Sequence, residues 1–92
     1  MTPQELAQHV RGELADAFAD LELPKPLEVL DIVPPHLIDA ESVLSVVIAQ
    51  KGGPIVHLAL PSSLAFGYLA DEEAAVDEWR LWIHDIVARF SR

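Results

Sequence analysis

The sequence predicts an α+β fold: a two-layer α/β sandwich in the order helix, strand, strand, strand, short helix, helix, with a three-stranded, mainly antiparallel sheet. Three observations carry this. Near both ends of the chain apolar residues recur every three or four positions, the period of a helix with one face in a core. Between them lie three short runs rich in Val, Ile and Leu, punctuated by proline and glycine clusters. With 92 residues, the chain has material for one core, so the expectation is a single α+β domain over residues 1–92.

The first helix opens at Thr2-Pro3-Gln4-Glu5, where a hydroxyl at the N-cap, a proline at N1 and a glutamate at N3 form a capping box. Leu6, Val10, Leu14, Ala17, Phe18 and Leu21 then make one apolar stripe. Pro24-Lys25-Pro26 closes the segment, because proline lacks an amide donor and pushes its predecessor out of helical geometry.

Residues 27–33 read as the first strand. Val29 and Leu30 break its alternation, which predicts a bulge or burial on both faces. After Pro34-Pro35 and a loop over 36–41, residues 42–50 form the clearest strand. Lys51-Gly52-Gly53-Pro54 then turns the chain into a third strand over 55–60. Ser62 and Ser63 offer hydroxyl caps to a short helix around Leu64, interrupted near Gly67 or Asp71. The last helix begins at Asp71-Glu72-Glu73 and ends near Arg89 and Arg92, so its charges complement the helix dipole. Its core stripe is Val76, Trp79, Ile83, Ile86, Val87 and Phe90.

Two places carry more apolar surface than this core uses. Leu81 points almost opposite the stripe of the last helix and Trp82 sits on its flank, although burying such a side chain is worth roughly 1.5–3 kcal/mol. In the sheet, if Leu44, Val46 and Ile48 face the helices, then Val43, Ser45, Val47 and Ala49 face away, joined by Ile55, His57 and Ala59. A solvated sheet face normally alternates apolar with polar residues. Leu81, Trp82, Val47 and His57 are therefore the interface candidates. The expected function is a small acidic, non-enzymatic interaction module, an adaptor, inhibitor or assembly factor, with a homodimer or another protein as partner. The ordinary alternative is that these are surface residues, or that the short helix wraps behind the sheet.

The formal charge of −9 argues against nucleic acid as a partner, since phosphate backbones are bound by cations. The longest apolar run is far short of the roughly 20 residues a bilayer crossing needs, and the start of the chain lacks the pattern of a secretory signal; no membrane partner and a cytoplasmic location are the expectations. Without cysteine, disulfides and thiol chemistry are excluded. The histidines at 9, 36, 57 and 84 fall in four different elements with no metal-ligand spacing, so neither a metal nor a cofactor is expected. A small enzyme or ligand-binding domain using His57 or His36 with a nearby carboxylate is the competing class.

Overall fold

The computed structural model describes residues 1–90; Arg92, read above as part of the basic end of the last helix, lies outside the described residues. The elements are α1 (Pro3–Asp20), β1 (Leu27–Val33), β2 (Val43–Gln50), β3 (Ile55–Pro61), α2 (Ser62–Leu69) and α3 (Glu73–Phe90). The fold is the α+β arrangement expected, with three helices and one antiparallel sheet in the order β1-β2-β3.

At the start of α1 the capping box is complete. The Glu5 amide donates to the Thr2 hydroxyl and the Thr2 amide donates to the Glu5 carboxylate, both at 3.2 Å. The helix ends earlier than the prolines require. Leu21 is the C-cap and Glu22 takes a left-handed φ of 49°, which leaves Leu21 exposed rather than on the core stripe.

The predicted irregularity in β1 is a bulge between Val29 and Asp31. Val29 pairs with Ile48 and Asp31 with Val47, so Leu30 is the extra residue. Without it, the adjacent Val29 and Leu30 would throw one half of the strand onto the wrong face. With it, Leu27, Val29 and Ile32 all point at the helices.

Leu44, Val46 and Ile48 of the central strand are fully buried beneath Leu6, Val10, Leu14 and Phe18 of α1 and Trp79, Ile83, Ile86 and Phe90 of α3, as the periodicity predicted. Val76 and Val87 flank that stripe and are half-buried.

The entry to α2 differs from expectation. Pro61 occupies the N-cap and no side chain caps the helix. Ser62 is instead fully buried and its hydroxyl accepts from Ser42 at 2.8 Å, tying the start of α2 to the start of β2. Gly67 lets α2 approach α3, since a Cβ there would lie 2.6 Å from the Ala75 methyl. Because α2 packs on α3 and α1 as well as on β3, it joins the helical layer and does not wrap behind the sheet.

Candidate functional site

Among the described residues no element covers the side of the sheet away from the helices. Reading across its three strands gives rows of side chains in register: Glu28, Ala49 and Ile55; Asp31, Val47 and His57; Val33, Ser45 and Ala59; then Val43 beside Pro61. Val43 is 44% exposed, Val33 51% and Ile55 58%, so the face is open and largely apolar. Its polarity is graded: the carboxylates are confined to the β1 side, and the β3 side offers only the imidazole of His57.

The structure brings Val47 and His57 together as direct cross-strand partners and separates them from the other two candidates. Leu81, 69% exposed, lies on the outer surface of α3, its helical neighbourhood shared with Asp77, Glu78 and Asp85. It is an isolated leucine on an acidic surface. Trp82 is half-buried, packed on the core and tilted against Trp79 with 5.5 Å between ring centroids. Trp79 in turn stacks on Tyr68 at 4.2 Å, so Trp82 is the outer member of an aromatic group joining α2 to α3.

Asp31 is the carboxylate nearest to His57 in the ladder, but the two stand two strand spacings apart, roughly 10 Å, with Val47 between them. No hydrogen bond or ion pair joins them among the described residues. His36 is exposed in the loop after β1, beside a shallow hollow formed by Thr2, Pro3, Gln4, Val33, Pro34 and Pro35 that has no carboxylate in its wall. Among the described residues no group of three His, Asp or Glu is placed to hold a metal ion, and no helix is long and apolar enough to cross a membrane.

Two further hollows are open clefts. One of about 460 Å³ lies between the β2–β3 turn and the end of α3, where Lys25 is the only ionisable lining residue among the described residues. A groove of about 290 Å³ between α1 and α3 is lined by Tyr68, Arg80 and His84 among apolar side chains. Burial, and next the hydrogen bond Tyr68 donates to Glu13 at 3.1 Å, raise the Tyr68 hydroxyl above its ordinary 10.0, which keeps it a donor rather than a nucleophile at neutral pH.

The feature the sequence reading missed is the edge of β3. The Gln50 amide donates to the Pro54 carbonyl and the Ser62 amide to the Ser42 carbonyl, at 3.2 and 3.0 Å. These bonds fix the alternation of the ladder between them: Val56, Leu58 and Leu60 turn their backbone groups toward β2, and Ile55, His57 and Ala59 turn theirs outward. No backbone partner from outside the sheet meets those outward groups among the described residues. The edge is also thinly covered by the helices, since Val56 and Leu58 are only half-buried while Val46 and Ile48 beside them are fully buried.

A signal for this edge was present in the chain: all fifteen carboxylates lie outside residues 42–70, and Lys51 is the only charged residue within that stretch. β2, β3 and α2 together form a neutral region in a strongly acidic protein. Comparison of the chain with family models, with curated proteins and with solved structures finds no match.

Proposed function

We propose that this chain is a non-enzymatic protein–protein interaction module, of the adaptor, inhibitor or assembly-factor kind, and that it self-associates through its sheet. The observation that carries the reading is the open apolar face running from Val33 and Val43 to Val47 and Ile55. Exposed apolar surface of that kind, in one contiguous patch, characterises interaction sites rather than idle surface.

Net charge opposes a second copy overall and decides where one would meet the least resistance. Two molecules of charge −9 repel over most of their surfaces, and least where residues 42–70 place no carboxylate. A basic partner would be drawn instead to α1 and α3, where the acidic side chains are. The competing enzymatic reading requires an imidazole and a carboxylate in hydrogen-bonding reach, a requirement the Asp31-Val47-His57 row does not meet.

Light scattering on a sizing column at several concentrations tests the proposal. A mass near twice the 10.1 kDa of one chain is expected; a mass of one chain at every concentration overturns it.

A further inference from the structure

We infer that the partner surface is the outer edge of β3, and that two copies join antiparallel across a two-fold axis at His57 to make one continuous six-stranded sheet. The inference rests on the self-association proposed above and assigns its contact to one edge strand and one register of the sheet.

Three observations lead to it. The outward backbone groups of β3 belong to Ile55, His57 and Ala59, and this set is symmetric about His57. An antiparallel copy centred there pairs Ile55 with Ala59 of the second copy and His57 with its own equivalent, so every outward N–H finds a carbonyl and every outward carbonyl an N–H. A register shifted by two residues would bring Pro61, which has no amide, opposite Ile55 and leave the Ile55 carbonyl unmet.

Second, β3 carries no charged residue and no bulge along its whole pairing with β2. Edges that stay single in solution are normally guarded by charge, a bulge, proline or a covering segment, and the one such device on β3 is Pro61, its last residue. Third, Val56 and Leu58 on the helix side of this edge are half-buried. In the proposed register they face Leu58 and Val56 of the second copy as close, non-hydrogen-bonded pairs, which completes their burial.

The test uses the full chain in wild-type and variant form, with association read by light scattering and sedimentation. Ala59→Pro removes an outward amide and leaves the bonds to β2 intact. Two hydrogen bonds are lost per dimer, so association should weaken on the order of thirtyfold. His57→Lys and His57→Glu each set like charges opposite one another and should each weaken it about fivefold, and mixing the two should restore it. Val47→Glu, on the central strand, should leave the dimer in place.

Amide exchange in the unmodified protein provides a check that does not depend on a variant folding. The amides of Ile55, His57 and Ala59 should become protected as concentration rises, and those of Val56 and Leu58 should be protected throughout. Should Val47→Glu yield monomers while Ala59→Pro and the outward amides show no effect, the edge is overturned and self-association through the face stands. A wild-type protein that stays monomeric overturns both.

Discussion

The two edges of the sheet are built in opposite ways. β1 carries Glu28 and Asp31 on its open side, is bent by the bulge at Leu30, and runs directly into Pro34 and Pro35. β3 runs regularly from Ile55 to Pro61 without a charge or a bulge, and its one missing outward amide is at its last residue, Pro61. Each device on β1 obstructs the addition of another strand, through like-charge repulsion, an interrupted ladder or a missing amide. The comparison teaches that one edge of this sheet is closed to partners by its own chemistry and the other is not. Growth in a single direction would limit the proposed association to a closed dimer, whereas two open edges would produce a fibre.

Replacing Ile32 and Leu58 by alanine sharpens the comparison most. The two side chains belong to one row across the core face, Ile32 and Leu58 on either side of Val46, yet Ile32 is buried and Leu58 half-buried. In dilute urea titrations Ile32→Ala should cost about 2–5 kcal/mol and Leu58→Ala about half as much. Repeating the titration at high protein concentration should raise the cost at Leu58 and leave that at Ile32 unchanged.

Gly67→Ala perturbs the helix that packs beside β3. Its new methyl group would meet Ala75 at 2.6 Å and the Glu72 carboxylate at 2.9 Å, forcing α2 away from α3 at about 1–3 kcal/mol, measurable by thermal melting. A smaller change in stability, within about 0.5 kcal/mol, is expected when Glu28 and Asp31 are both replaced by threonine, because both are exposed. The consequence for association should be larger: with its charges gone, β1 should add strands, and light scattering should show assemblies beyond the dimer.

The smallest effects are those of pH, and they fall on the acidic side of the molecule. The Thr2 amide, and then the Thr2 hydroxyl, hold the Glu5 carboxyl below its ordinary 4.5. A carboxyl lowered on folding contributes stability above its unfolded value and loses it as pH falls, so wild type should weaken below about pH 4.5 by an increment that Glu5→Gln lacks. The raised Tyr68 hydroxyl works in the other direction. Its contribution is complete below pH 10.0 and is lost as pH rises through the folded value, so Tyr68→Phe should remove that alkaline component. Melting temperature followed across pH checks both.

Much of the architecture was legible because local rules and global packing agree in this chain. The capping box at Thr2, the extra residue at Leu30 and the α3 stripe from Trp79 to Phe90 each follow from short-range chemistry or from a single period. The α2 entry was misread because Ser62 matches a capping residue locally, whereas its hydroxyl is claimed by Ser42, twenty residues earlier. Leu21 was placed in the core because the helical period continues past the point where Glu22 turns left-handed.

The candidate site divides along the same line. Val47 and His57 were assigned to one face by alternation alone, which holds in any antiparallel sheet. That Leu81 lies on a separate acidic surface, and that Asp31 is held two strands from His57, depends on strand order and on which side α2 and α3 cover. What the sequence by itself determined is the set of elements, the faces they present to a core and the neutrality of residues 42–70. Only the tertiary structure decided that β3 stands at an edge with the amides of Ile55, His57 and Ala59 turned outward. Hydrogen-bond direction alternates along a strand, and a residue's own identity does not say which of two neighbours its backbone will meet.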